Sequence, residues 1–220
     1  MIKGMQEVNE VMTKAKADLD ANGGLKQVIF VACGGSFASS YPARYLLNQE
    51  SSLRVQGYNS SEFVNAMPKS VNGNTLVIGT STKATPETVE ALKAAKERGA
   101  VTIGLSGYAD SLTAQTARYF ITYYHADEWY QDPSLIHCNS QGTALKIAFW
   151  LLNVYDNYPS YDKAMEAFEK MPQIYGNAYT AVKPEAARFA MTYKDDQVWN
   201  VMSSGAAWEV SYADAFRFFQ

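Results

Sequence analysis

The chain of 220 residues is 47% apolar and 19% charged, a balance that allows a sizeable buried core and argues against disorder. Its net charge of −3 offers no basic surface to nucleic acid. No stretch approaches the run of about 18 apolar residues that spans a membrane, so neither nucleic acid nor a membrane is an expected partner. Cys33 and Cys138 form no disulfide framework, which favours the reducing cytoplasm.

Short apolar runs alternate with helical patterns through the first part of the chain. The runs predict strands at Gln27–Ala32, Leu53–Tyr58, Thr75–Gly79, Val101–Leu105 and Tyr119–Tyr123. Helices are predicted at Ile2–Leu19, at Phe37–Gln49, at Ser60–Ala66 with Ser60 or Ser61 as its cap, and at Pro86–Arg98. This alternation predicts an α/β fold with a doubly wound, parallel five-stranded sheet of the Rossmann-like or flavodoxin-like kind, followed by C-terminal helices.

The second part of the chain is mainly helical in pattern. Helices are predicted at Asn139–Tyr155, at Tyr161–Met171 and from Pro172 to about Tyr193, with an interruption near Lys183 and Pro184. Val198–Met202 then resembles a strand, Ser203–Gly205 a turn and Trp208–Gln220 a helix, the same order as in Gln27–Gln49. This repeat predicts an N-terminal helix at 1–24, a first domain at 25–157, a helical connector at 158–196 and the start of a second, truncated domain at 197–220.

Gly34, Gly35 and Ser36 directly follow the first predicted strand and precede a helix. Glycines allow a tight turn, and backbone N–H groups together with a hydroxyl at the start of a helix suit an anion. An ordinary turn between a strand and a capped helix would read the same way, so this segment needs support from elsewhere in the chain.

The segment after the third predicted strand provides that support. It carries four hydroxyls, on Thr80, Ser81, Thr82 and Thr85, and runs into the helix at Pro86. Ligands of open α/β sheets bind at the carboxyl ends of the strands, and several donors ahead of a helix suit a phosphate. A Ser/Thr-rich loop with a capping residue is the alternative. Two such segments on neighbouring strands favour a phosphate site.

Three segments resemble the sugar isomerase (SIS) domain family: VACGGSF with the following YPA, YNSSEF at Tyr58–Phe63, and TPET after the hydroxyl loop. Within that family the chain is most similar to fructosamine deglycases, which act on fructose-amino-acid 6-phosphates. The resemblance implies that Gly34, Gly35, Ser36, Thr80, Ser81, Thr82 and Thr85 bind the phosphate of a sugar 6-phosphate. It also implies that Asn139 and Ser140 are candidate contacts to the sugar.

The chain departs from the family pattern in two places. Lys83 stands where the family's second loop has glycine, so the loop is expected to carry an added charge or an altered shape. The resemblance implies that the catalytic Glu and His lie beyond Gln220, so no catalytic residue is assigned within the chain. Glu62 follows a strand end and is either close to the site or a charge at a helix N-terminus. Glu209 is a poor substitute, because it falls in the first turn of the last predicted helix instead of at its far end.

The resemblance thus implies a phosphosugar-binding SIS protein whose intact parent is a ketosamine 6-phosphate deglycase, without a cofactor or a metal. The alternatives are an aldose–ketose isomerase of an amino-sugar phosphate and a non-catalytic phosphosugar-binding module. His125 and His137 flank Asp127 and Glu128, but their separation does not have metal-ligand spacing. Because the second half is rich in aromatic residues and SIS domains pair, a homodimer is expected.

Overall fold

The computed structural model describes residues 2–125, 128 and 131–218, with side chains as far as residue 215 at the C-terminal end. The strands are β1 Gln27–Ala32, β2 Arg54–Asn59, β3 Thr75–Thr80, β4 Val101–Ser106 and β5 Tyr119–Thr122. The helices are α1 Met5–Ala21, α2 Gly34–Ser39, α3 Tyr41–Glu50, α4 Ser60–Asn65, α5 Pro86–Glu97, α6 Leu112–Thr116, α7 Ser140–Asp156, α8 Tyr161–Tyr193 and α9 Trp208–Phe218. Short 3-10 helices occupy Pro133–Cys138 and Gly205–Ala207.

The strands form one parallel sheet in the order β2-β1-β3-β4-β5. All six residues of β1, of β3 and of β4 are buried, as expected for strands covered on both faces. The predicted fold class, a doubly wound α/β sheet, is therefore confirmed. Each predicted strand in this sheet lies within one residue of its observed bounds.

Alternate residues of β1 supply two separate cores, one on each face of the sheet. Val28 and Phe30 belong to the larger core, which also takes in the buried faces of α1, α3 and α7. Ile29 and Val31 belong to the smaller core, with Phe63 and with Ala91 and Ala95 of α5. This alternation follows from the two-residue period of a strand and holds the sheet between its helices.

The helix predicted at Phe37–Gln49 is two helices, α2 and α3, which meet at Ser40. Pro42 has no N–H to donate to the carbonyl of the residue four positions earlier, so the helical hydrogen-bond ladder is interrupted here. Pro42 lies at the start of α3, where the missing donor costs little. Of these two helices, α2 begins earlier than predicted, at Gly34 instead of Phe37.

Two further local predictions were wrong. Helix α4 begins at Ser60 itself, so its cap is Asn59, whose side chain accepts a hydrogen bond from the Ser61 N–H at 3.1 Å. The interruption predicted near Pro184 is absent, because α8 continues through Pro172 and Pro184. The carbonyl that loses its partner to Pro184 is that of Thr180, in the part of α8 that is exposed from residue 173 to its end, where water can bind it.

Val198–Met202 does not form a strand, contrary to the sequence prediction. Val198 is 76% and Met202 93% exposed, and a strand needs a neighbouring strand to satisfy its backbone. Helix α9 follows as predicted, although the predicted end at Gln220 lies outside the described residues. Helix α6 and the 3-10 helix Pro133–Cys138 had no counterpart among the predicted elements. The division into domains stays a prediction.

Candidate phosphate site

The two glycine- and hydroxyl-rich segments leave the sheet side by side. Ala32, the last residue of β1, is the register partner of Thr80, the last residue of β3. The turn at Gly34 and the loop at Ser81 therefore start at the same edge of the sheet, one strand spacing apart. This edge is the carboxyl end of a parallel sheet, where ligands of such folds bind.

The first segment becomes the opening turn of α2. Gly34 has a φ of 53°, a left-handed conformation that favours glycine. The N–H groups of Gly34, Gly35 and Ser36 belong to this first turn, where a helix offers no carbonyl to them. Ser36 is half-buried and its carbonyl accepts a hydrogen bond from Ser39 Oγ at 2.9 Å.

Ser81 closes the second segment, the loop Ser81–Thr85, on itself. Its N–H donates to the carbonyl of Leu105 in β4 at 3.0 Å. Its Oγ donates to Thr85 Oγ1 at 3.0 Å and accepts from the Thr85 N–H at 2.8 Å. The hydroxyl of Ser81 is thus buried within the loop that its backbone joins to the sheet.

Thr82, by contrast, is exposed at the carboxyl edge and is held by two side chains from neighbouring strands. Ser106, the last residue of β4, donates from Oγ to the Thr82 carbonyl at 3.1 Å. Tyr123, the residue after β5, donates from its hydroxyl to Thr82 Oγ1 at 3.1 Å. Sequence reasoning did not assign Ser106 or Tyr123 to the site; the only signal was their position at the ends of strands.

Tyr123 is only 4% exposed. Burial raises the pKa of its hydroxyl, the hydrogen bond to Thr82 lowers that pKa, and the nearby Tyr108 raises it again, with a net rise. The hydroxyl therefore stays protonated at neutral pH and remains a hydrogen-bond donor to Thr82.

Lys83 occupies the exposed tip of the loop without backbone strain. Among the non-glycine residues that the structure describes, Asn157 alone has a positive φ, so the backbone at Lys83 is in an ordinary conformation. Glycine is therefore not required at this position in the observed loop. A cleft of about 380 Å³ beside Lys83 is lined also by Tyr108, Asp110 and Ser111.

Asn139 and Ser140 lie at the start of α7. The carboxamide oxygen of Asn139 accepts a hydrogen bond from the Gly142 N–H at 2.8 Å, so this side chain is the helix cap. Ser140 is half-buried in the first turn. The assignment of these two residues as sugar contacts stays a prediction.

The last helix, α9, packs against α2 and borders the first turn. Glu209 forms an ion pair with Arg44 of α3; burial raises the pKa of the Glu209 carboxyl, and Arg44 opposes that rise. A cleft of about 340 Å³ lies between Gly34 and Gly35 on one side and Trp208 on the other. Glu62, in the first turn of α4, is exposed.

A buried cluster of ionisable groups lies next to the start of α7. Lys146 is 1% exposed, and its ammonium donates to the carbonyl of Lys3 at 2.8 Å and to Cys138 Sγ at 3.5 Å. Burial, together with the nearby Lys146 ammonium, lowers the pKa of His137 to about 4. Burial also lowers the pKa of Lys146, since the charged form loses its hydration.

Comparison with known proteins identifies the family to which this chain belongs. The SIS domain pattern matches residues 25–151, which contain the whole sheet and both loops. The chain belongs to the SIS domain family. The resemblance read from the sequence is thereby confirmed at the level of the family.

Relatives of this SIS chain are longer than it is. The fructosamine deglycase FrlB of Bacillus subtilis (strain 168) is 32% identical over 191 residues, 86% of this chain and 57% of that protein. The agropine synthesis conjugase of Rhizobium rhizogenes is 25% identical over 213 residues, 94% of this chain and 57% of that protein. The chain thus spans somewhat more than half the length of these curated relatives.

Solved SIS-type structures superpose on almost the whole chain. A proposed phosphosugar isomerase of Salmonella typhimurium LT2 gives a TM-score of 0.90 at 30% identity, over 98% of this chain and 63% of that one. A second one, of Bacillus subtilis, gives 0.87 at 29% identity, over 98% of this chain and 65% of that one.

Within residues 2–125, 128 and 131–218 of this SIS chain, no group of three or more His, Cys, Asp or Glu side chains is arranged to hold a metal ion. Asp127 lies outside the described residues. None of the helices described is both long enough and apolar enough to cross a bilayer.

Proposed function

We propose that this SIS chain binds a sugar 6-phosphate whose phosphate lies between the turn after β1 and the loop after β3. The observation that carries the proposal is the register of Ala32 with Thr80, which brings both donor-rich segments to one point of the sheet edge. The proposed ligands are Gly34, Gly35, Ser36, Thr80, Thr82 and Thr85. Ser81, also expected as a ligand from the resemblance, instead shapes the loop, because its N–H donates to Leu105 and its hydroxyl donates to Thr85.

For a protein that spans the full length of these relatives, we propose deglycation of a ketosamine 6-phosphate, giving a sugar 6-phosphate and a free amine. A carboxylate would remove the C1 proton to form an enaminol, and reprotonation at C2 would turn this into an imine at C1. Water would then add to C1, and an acid would protonate the amine as the C1–N bond breaks. The similarity to a fructosamine deglycase supports this reaction class. Because the chain spans only part of that relative, the proposal for these 220 residues is tested as binding.

Aldose–ketose isomerisation of an amino-sugar phosphate is the second candidate, and it shares the enolisation step. Its support is the superposition on two proposed phosphosugar isomerases. A non-catalytic phosphosugar-binding module would use the same two loops. Release of a free amine from a ketosamine 6-phosphate by a protein of the relatives' full length would distinguish deglycation from both alternatives.

Thermal unfolding with fructose 6-phosphate or with fructose tests the binding proposal. A ligand at 100 times its dissociation constant should add about 2.7 kcal/mol to the free energy of unfolding. The rise in melting temperature should require the phosphate. It should disappear when Ser36→Ala is combined with Thr82→Ala, whereas Thr13→Ala, on the exposed face of α1, should retain it. An equal shift with fructose and fructose 6-phosphate contradicts the proposal.

We propose that the chain forms a homodimer, so that its partner is a second copy of itself. From residue 173 onward, α8 exposes large apolar side chains, among them Ile174 at 59%, Val182 at 58% and Met191 at 69%. Apolar surface of this kind on a long helix is typical of an interface with another protein surface. The dimer stays a prediction.

A further inference from the structure

Thr82 is held in a closed ring of hydrogen bonds that spans three neighbouring segments. Ser106 Oγ donates to the Thr82 carbonyl at 3.1 Å, and the Ser106 carbonyl accepts from the Tyr123 N–H, also at 3.1 Å. The Tyr123 hydroxyl returns to Thr82 Oγ1 at 3.1 Å and completes the ring. Both the backbone and the side chain of Thr82 are therefore fixed relative to the sheet.

The ring also determines where the proton of Thr82 can go. A threonine hydroxyl has one proton and two lone pairs, and Tyr123 uses one of the lone pairs. In the part of the chain that the structure describes, no acceptor takes the Thr82 proton. Since Thr82 is exposed at the carboxyl edge, its proton is available to an anion bound there.

The hydroxyl of Tyr123, unlike that of Thr82, is not exposed to such an anion. Its side chain is 4% exposed and belongs to the larger core, so its hydroxyl acts through Thr82. Ser106 is fully buried, which also confines it to an indirect role. Ser106 ends β4 and Tyr123 directly follows β5, two strands that lie beyond β3 in the sheet, on the side away from β1.

We infer that Tyr123 is a positioning residue of the phosphate site, which orients the Thr82 hydroxyl so that Thr82 donates its proton to the phosphate. The inference rests on the proposed function, because it assumes that the anion is the phosphate of a sugar. Ser106 supports the same arrangement by holding the Thr82 carbonyl.

Calorimetric titration with fructose 6-phosphate tests the inference in a double-mutant cycle of Tyr123→Phe and Thr82→Val. Each single variant should weaken binding about five- to tenfold, the value of one well-oriented hydrogen bond. If Tyr123 acts through the Thr82 hydroxyl, the double variant should bind about as weakly as Thr82→Val alone. The affinity for fructose, which has no phosphate, should not change in any of these variants.

Tyr119→Phe is the matched control. It removes a tyrosine hydroxyl from the same strand region, one that donates to Asp18 at 2.5 Å at the opposite end of β5. Binding of fructose 6-phosphate should be unchanged in this variant. Thermal melts of each variant measure the loss of stability separately from the loss of binding.

Ser106→Ala gives an independent test in case Tyr123→Phe does not fold. It removes the bond to the Thr82 carbonyl from a fully buried, nearly isosteric position and should also weaken binding several-fold. The inference is overturned if Tyr123→Phe binds like the wild type, or if the losses from Tyr123→Phe and Thr82→Val multiply. A wild-type chain that does not prefer fructose 6-phosphate to fructose overturns the proposed site itself, before any variant is compared.

Discussion

Acidification should weaken the fold through His137, one of two histidines in the chain. Its imidazole is 5% exposed, its ring packs 6.0 Å from that of Phe168, and its Nδ1 lies 3.4 Å from Cys138 Sγ. Protonation would place a second positive charge beside the buried ammonium of Lys146. Burial and this ammonium together explain why the pKa of His137 is lowered to about 4 in the folded chain.

The sign of the effect follows from proton binding in the two states. Between pH 6.5, the ordinary histidine pKa, and about pH 4, the unfolded chain binds a proton at residue 137 and the folded chain does not. The free energy of unfolding should therefore fall as the pH falls through this range. A pKa lowered from 6.5 to about 4 corresponds to a loss of at most about 3 kcal/mol, at 1.36 kcal/mol for each pH unit.

Urea unfolding at several pH values between 7 and 4 measures this loss in the wild type and in His137→Gln. Carboxylates with lowered pKa values, such as Asp156, also lose their stabilising effect in acid, so the quantity of interest is the difference between the two pH profiles. The profile of His137→Gln should be flatter by about 2–3 kcal/mol over the range.

Proton NMR gives the pKa directly, because the chain has only two histidines and His125→Gln leaves one imidazole signal. We expect that signal to titrate near pH 4. Parallel stability profiles for the wild type and His137→Gln, or a titration midpoint near 6.5, would refute the reasoning.

Two further predictions concern packing and assembly. Gly104→Ala in β4 should cost about 1–3 kcal/mol of stability in urea unfolding, since its new Cβ would lie 2.7 Å from the backbone carbonyl of Thr113; an unchanged midpoint would show that α6 moves freely. In sedimentation at tens of micromolar the chain should form a dimer. Combining Val182→Lys with Met191→Lys, on the exposed face of α8, should dissociate that dimer into monomers. A wild-type chain that is monomeric at this concentration contradicts the proposed dimer.

The sheet could be predicted closely from the sequence because its signals are local. A buried parallel strand is a short apolar run between turn residues, and β1 was predicted without error at Gln27–Ala32. The two segments rich in hydrogen-bond donors were found for the same reason, since glycines and hydroxyls follow strand ends; their role in binding phosphate stays a prediction. Their closeness in space was implied by the fold class, and the register of Ala32 with Thr80 agrees with it.

The errors arose where a distant part of the chain, or water, decides the local structure. Val198–Met202 has the composition of a strand, but a strand also requires a neighbour to bond its backbone. Pro184 normally interrupts a helix, yet on the exposed half of α8 water can bind the carbonyl that loses its partner.

By itself, the sequence determined the five strands, the fold class and the positions of the glycines and hydroxyls that we propose as phosphate ligands. The tertiary structure alone decided which of those donors face outward. Ser81 and Thr82 are neighbours with similar hydroxyls, but Ser81 is used inside the loop, whereas Thr82 is held at the surface by Tyr123, which is 41 residues away in the chain. The orientation of a hydroxyl depends on partners that only folding brings within 3.1 Å, so no local pattern records it.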